Sequence, residues 1–172
     1  MDKCKLTLRA LEPEDVEFIA QMENDEDSLR YSDRVAPLSL QSVRTYIMTC
    51  DPDPFATGQL RLMVESDDGE RVGLLDFYEI TQRHSHAMVG LIMAPKHRGK
   101  GLSARILRMA CLFSERRLHL ESLGALVAAG NIPSLRAFER AGFREVGRLS
   151  NWWHTIDGQD DCVMMQIDCN NR

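Results

Sequence analysis

The sequence of 172 residues predicts an α/β (α+β) fold, a mixed sheet flanked by helices. Three observations lead there. The apolar run Val89 to Met93 reads as a buried strand, Pro95 stops it, and Gly99-Lys100-Gly101 opens a helix. In that helix Leu102, Ile106, Leu107, Met109 and Ala110 recur at helical spacing. Leu123 to Ala129 repeats the strand-then-helix order beside the first strand, and upstream Leu60 to Glu65 and Val72 to Ile80 flank Asp67-Asp68-Gly69 in a hairpin pattern. The length is that of one domain, expected over residues 1–172.

Taken in order, Lys3 to Leu11 carries alternating Leu6 and Leu8, then Leu11, and predicts a first strand. Pro13 suits the first turn of a helix whose buried stripe is Val16, Ile19, Ala20 and Met22. Glu23-Asn24-Asp25-Glu26-Asp27 ends that helix with four acids in five positions, a solvated end unless a cation binds there. Ser39 is placed to cap a second helix through Val43, Tyr46 and Ile47, which Asp51-Pro52-Asp53-Pro54 ends. Gln82 to His86 is a polar connection; without a third ligand nearby, His84 and His86 read as surface residues. The helix after Gly101 is expected to run to Arg117. Asn131 caps the next, with Pro133 and Ser134 in its first turn, Leu135, Phe138 and Ala141 on its apolar face and Gly142 closing it. Glu145 to Leu149 and Asp161 to Ile167 form a closing pair of strands around Asn151-Trp152-Trp153 and an Asp157-Gly158 turn. Trp152 and Trp153 pack either a dimer face or a ligand pocket. The tail Cys169-Asn170-Asn171-Arg172 is expected to fray.

Composition narrows the function. Hydrophobic residues at 44% and charged residues at 27% are ordinary for a soluble globular protein. No apolar run approaches the roughly 18 residues of a membrane helix and no signal-peptide pattern opens the chain, so a cytoplasmic location without membrane partners is expected. Cys4, Cys50, Cys111, Cys162 and Cys169 lack C-x-x-C spacing, which indicates neither a zinc site nor a disulfide framework. With 21 basic against 26 acidic residues the chain is no nucleic-acid binder, yet Lys96, Arg98, Lys100, Arg105 and Arg108 follow one another without an acid. Positive charge at a glycine-opened helix start is suited to a polyphosphate. A nucleotide P-loop is excluded because Gly101 stands where Ser or Thr must reach magnesium. Gly99 to Ala104 fits a dinucleotide pattern, but the next strand ends in Gly130 and Asn131, without the acid that holds a ribose.

Arg98-Gly99-Lys100-Gly101-Leu102 after Ala94-Pro95, then Asn131-Ile132-Pro133-Ser134 and Phe138-Glu139-Arg140-Ala141-Gly142-Phe143, resembles the GNAT superfamily of acyl-CoA-dependent N-acetyltransferases. Leu6-Thr7-Leu8-Arg9-Ala10-Leu11-Glu12 is similar to the spermidine and ribosomal-protein branches of that superfamily. The resemblance implies a sheet splayed at its centre, with the pantetheine arm of acetyl-CoA against Leu91, Ile92 and Met93. It implies a pyrophosphate on Arg98, Gly99, Lys100, Gly101, Leu102, Ser103 and Ala104, and Asn131 and Ser134 near the cofactor arm, Asn131 capping its helix as well. It implies direct acetyl transfer, without an acyl-enzyme and without a metal, to the primary amine of a polyamine-like small molecule or a protein N-terminus. A homodimer or larger homo-oligomer is implied too. Because the first helix and the loop after it border the acceptor site in this family, Glu26 of the acidic cluster becomes an acceptor contact, beside Asp76 and Glu79.

Three departures stand out. Phe138 fills the position of the tyrosine that donates a proton in spermidine-type members, so the catalytic acid is unassigned, with Ser134, Tyr78 or water as substitutes. Met88 stands where those enzymes are acidic, and Lys96 where many members have Gln or Arg. A different class of function, a non-catalytic acyl-CoA sensor of the same fold, accounts for the loss of the tyrosine.

Overall fold

The computed structural model describes residues 5–32, 34, 36–155 and 158–170. Seven strands form one sheet: β1 Leu6–Arg9, β2 Leu60–Ser66, β3 Arg71–Thr81, β4 His86–Met93, β5 Ser122–Ala128, β6 Arg144–Thr155 and β7 Gly158–Asp168. Their spatial order is β1-β2-β3-β4-β5-β7-β6. All neighbours are antiparallel except β4 and β5, so the sheet is mixed as the sequence predicts. The helices are α1 Val16–Glu23, α2 Glu26–Leu29, α3 Leu40–Thr49, α4 Pro54–Thr57, α5 Leu102–Phe113 and α6 Ile132–Ala141.

Strand alternation divides the core between the two faces of the sheet. Met63 and Leu74, cross-strand partners, pack with Val16, Ile19, Ala20 and Met22 of α1 and Val43 of α3. Their neighbours Leu62, Val64, Leu75 and Phe77 join Ile106, Leu107, Ala110 and Cys111 of α5 and Phe138 and Ala141 of α6. Each Val, Leu, Ile, Phe or Met among them, fully buried, stabilises the fold by about 1.5–3 kcal/mol. Beneath α1 lies the fully buried Asp15, whose carboxylate accepts from Arg9 at 2.7 Å, Arg71 at 2.6 Å and the Glu12 amide at 2.8 Å. Burial alone raises the pKa of this group, but those hydrogen bonds outweigh it and hold the carboxyl at about 2.

Several boundaries differ from the sequence expectation. Pro13–Asp15 forms a 3-10 turn before α1. The helix expected through Asp27 breaks at Asn24, whose side chain bonds both backbone groups of Leu38 at 2.8 Å, and Asp25 caps the new single-turn α2. α5 stops at Phe113 and passes into a π turn, Ser114–Leu118. β6 and β7 run far beyond the predicted pair: Asn151-Trp152-Trp153 lies inside β6, where the register shifts and Asn151 takes φ 52°. Cys169 does not fray; it is buried, and its amide donates to the Glu121 carbonyl at 2.7 Å. Lys3 and Cys4 of the predicted first strand, Asp157 of the predicted turn, and Asn171 and Arg172 of the tail lie outside the described residues. Among the described residues no helix is long and apolar enough to cross a membrane.

Candidate active site

The centre of the sheet comes apart. β4 and β5 are paired where His86, Ala87 and Met88 face Ser122, Leu123 and Gly124, and nowhere beyond. On their outer sides both strands stay paired, β4 with β3 as far as Met93 and β5 with β7 as far as Ala128. Met88 marks the parting: a Cβ on Gly124 would lie 2.7 Å from its sulfur, so the side chain occupies the space a glycine leaves. From Val89 and Ala125 onward each strand has backbone N–H and C=O groups facing a gap, and a buried extended ligand with amides satisfies such groups. The gap opens into a cleft of about 1410 Å³ lined by Val89 to Met93, Leu126 to Ala128 and the first turns of α5 and α6.

One rim of the cleft is the start of α5. Gly99 and Gly101 take φ of 73° and 75°, a left-handed backbone that costs other residues about 1–2 kcal/mol. No side chain caps α5, so the amides of its first turn stay available at the positive end of the helix dipole. Arg98, Gly99, Gly101, Ser103 and Ala104 line the cleft. Opposite, Asn131 caps α6 by accepting the Ser134 amide at 3.2 Å, and Asn131, Ser134, Arg136 and Arg140 line the same cleft.

The other wall is built from α1, α2, α3, β2 and β3, and every described carboxylate on it is held by an arginine. Arg61 of β2 reaches its cross-strand partner Asp76 at 2.5 and 3.0 Å and Glu23 at 2.6 Å. Arg34 completes the pairing of Glu23 at 2.5 Å, and Arg61 lies over the Tyr46 ring at 5.9 Å. Burial pushes the Asp76 carboxyl up and the Arg61 guanidinium partly offsets it. Burial likewise raises Tyr46. Arg98 grips the acidic turn, donating to Asp25 at 2.6 Å and Asp27 at 2.7 Å, while its Nε donates to the Met93 carbonyl at 3.0 Å. The Arg98 guanidinium holds the Asp25 carboxyl below its usual range.

Of the residues chosen from sequence, Leu91, Ile92, Met93, Arg98, Gly99, Gly101, Ser103, Ala104, Asn131, Ser134 and Asp76 share this cleft. Four do not line it. Lys100 is exposed, Leu102 packs against the core, Glu26 lies in the first turn of α2, and Glu79 is an exposed residue in a bulge of β3 at φ 51°. Lys96 pairs with Glu70 outside the cleft, and Arg108 donates to the Arg140 carbonyl at 2.8 Å, so the basic run is not one patch. His86 begins β4 at the paired end and stacks on His84 with centroids 6.1 Å apart; among the described residues no group suited to a metal occurs. Phe138 does face the cleft, edge-on to Phe143 at 4.9 Å. Of the two tryptophans, Trp153 lines the cleft and Trp152 is 61% exposed. Glu23 belongs to the acidic cluster singled out from sequence, but sequence reasoning missed Arg34, Arg61, Tyr31 and Tyr46. Of these only Arg61 carried a signal, an arginine within the apolar start of a strand.

The model of the acetyltransferase (GNAT) domain matches residues 5–144. The spermidine N(1)-acetyltransferase of Vibrio cholerae serotype O1 is 30% identical over 145 residues, 84% of this chain and 82% of that protein. That of Escherichia coli K12 is 29% identical over 153 residues, 88% and 79% of the two chains. The crystal structure of spermidine N-acetyltransferase from Vibrio cholerae in complex with CoA and spermine superposes with a TM-score of 0.86 at 28% identity, over 96% of each chain. These relatives are named as transferases, which favours turnover over cofactor sensing. With its sheet parted beside an uncapped, glycine-opened helix, the chain belongs to the GNAT family and is an acetyl-CoA-dependent N-acetyltransferase.

Proposed function

We propose that the protein acetylates a primary amine of a small, polyamine-like molecule, as a single domain over residues 1–172. The observation that carries the cofactor half is the parting of β4 from β5 at Val89, next to the α5 start. In this reading the pantetheine amides pair with backbone groups of Leu91, Ile92 and Met93, and the pyrophosphate lies on the amides around Gly99 and Gly101 and on Arg98. Asn131 and Ser134 border the arm, and Arg136 and Arg140 supply further positive charge. Likeness to spermidine enzymes supports the acceptor class. A protein N-terminus is the second acceptor of this reading.

Transfer is direct. The amine must arrive neutral, the thioester carbonyl needs donors where negative charge develops, and the departing thiolate needs a proton. We assign that proton to Tyr78, which lines the cleft beside Gly90 and takes over from the aromatic position that Phe138 cannot serve. Release of CoA thiol with spermidine, spermine and short peptides tests the reading. Turnover with spermidine well above that with peptides supports it, and turnover with peptides alone replaces it with the second acceptor.

A cytoplasmic location belongs to this reading: acetyl-CoA is its co-substrate, and Cys50, Cys111, Cys162 and Cys169 are free thiols, as reducing compartments keep them. So does a homo-oligomer, supported by the exposed Val146, Leu149 and Trp152 on edge strand β6. Light scattering on the eluting protein measures the subunit number.

A further inference from the structure

A cationic acceptor needs an unpaired carboxylate, and among the described residues the cleft offers none. Glu23 is held by Arg34 and Arg61, Asp76 by Arg61, and Asp27 by Arg98. Two of these three arginines, Arg34 and Arg61, belong to the acceptor wall alone. Arg98 does not: it stands at the cofactor rim, one residue before Gly99, and reaches across to the turn between α1 and α2.

We propose that Arg98 is shared between the two substrates. In the free enzyme Asp25 and Asp27 clasp it; the cofactor pyrophosphate takes its guanidinium from them, and the carboxylates released become the negative mouth that draws in the amine. Each substrate therefore tightens the binding of the other. This rests on the reading of the α5 start as the pyrophosphate site.

The geometry suits an exchange. The Nε of Arg98 is committed to the Met93 carbonyl at 3.0 Å, which anchors the side chain, while Nη1 and Nη2 are the groups given to Asp27 and Asp25. Those terminal nitrogens form the fork that a phosphate also accepts from, so phosphate and carboxylates compete for the same donors. Asp27 is 76% exposed, and an ion pair in water is weak enough to yield to a multiply charged ligand. Asp25 keeps its place when Arg98 leaves, because it caps α2 by accepting the Ser28 amide at 3.3 Å. Coupling between two ligands is reciprocal, so the factor by which cofactor aids amine is the factor by which amine aids cofactor.

Calorimetric titration decides it. The Asp25→Asn/Asp27→Asn protein retains a good helix cap and is expected to bind acetyl-CoA about fivefold or more tighter than the unchanged protein. Glu26→Gln removes a charge from the same helix without touching Arg98 and is expected to change the affinity far less. Equal or weaker binding by the double variant, or an equal gain per charge from Glu26→Gln, overturns the competition. Spermidine titrated into protein saturated with CoA is expected to bind tighter than into free protein, and a difference that vanishes in the double variant ties the gain to these carboxylates. Equal spermidine affinity in the two states overturns the coupling. If the unchanged protein binds no acetyl-CoA, the cofactor reading fails and the proposal with it; if spermidine binds in neither state, the polyamine reading fails, and the acetyl-CoA titrations decide the Arg98 competition alone.

Discussion

At the scale of single residues, Arg61 is the side chain on which the charged wall of the cleft depends. It neutralises Asp76 and half of Glu23 from a largely buried position, and removing one partner of such a cluster leaves charge without solvent. Arg61→Ala is expected to lower stability by about 3–5 kcal/mol in urea unfolding, whereas Arg61→Met with Asp76→Leu, which removes both charges, recovers most of that loss. Tyr78→Phe tests the proton donor. It keeps the ring and removes the hydroxyl, so turnover is expected to fall by roughly 10²-fold or more with the Michaelis constant for acetyl-CoA nearly unchanged. Turnover within a factor of two of the parent would return the role to water.

At the scale of elements, the parted strands and the α5 start act together in the proposed reading: one exposes backbone to the cofactor arm, the other directs amides at its phosphates. Gly101 joins them. A Cβ at this residue meets no protein atom within 4 Å, so the strain of Gly101→Val comes from its φ of 75°, about 1–2 kcal/mol of stability or somewhat more for a branched side chain. The added methyl groups would occupy the space a phosphate needs. Acetyl-CoA affinity is expected to fall by roughly tenfold or more, the equivalent of one charged hydrogen bond. Normal binding by a folded Gly101→Val protein would move the pyrophosphate elsewhere.

At the scale of the whole molecule, the Arg9–Asp15–Arg71 cluster ties β1, the turn before α1 and β3 together, and it sets a pH limit. The Asp15 carboxyl falls from an ordinary 3.8 to about 2 on folding. Above pH 4 it is charged in both states and its full contribution is present; as the pH falls toward 2 the unfolded chain takes up the proton first and stability declines. About 2 kcal/mol should be lost across that window, read as the midpoint of urea unfolding at successive pH values. Asp15→Asn should flatten the slope and lower stability at neutral pH.

The sequence by itself determined most of the strands, the main helices and the glycine-opened loop before α5. Apolar period, Pro95 and the two glycines around Lys100 are local signals, and a strand, a tight left-handed turn and a helix start are local structures. It could not determine which charges are free. Arg98 reads as a phosphate ligand from its neighbours in the chain, yet its partners Asp25 and Asp27 are joined to it only by folding. Glu26 and Glu79 lie close in sequence to cleft residues and still fall outside the cleft, because a new helix cap at Asp25 and a bulge in β3 set their directions. Arg61 and Asp76 became partners through strand register, and Glu23 through the packing of α1 on the sheet. Ion pairing depends on distance in space, which a linear pattern does not carry, so the glycine-opened start of α5 was legible in the sequence and the pairing of charges on the opposite wall of the cleft was decided by the tertiary structure.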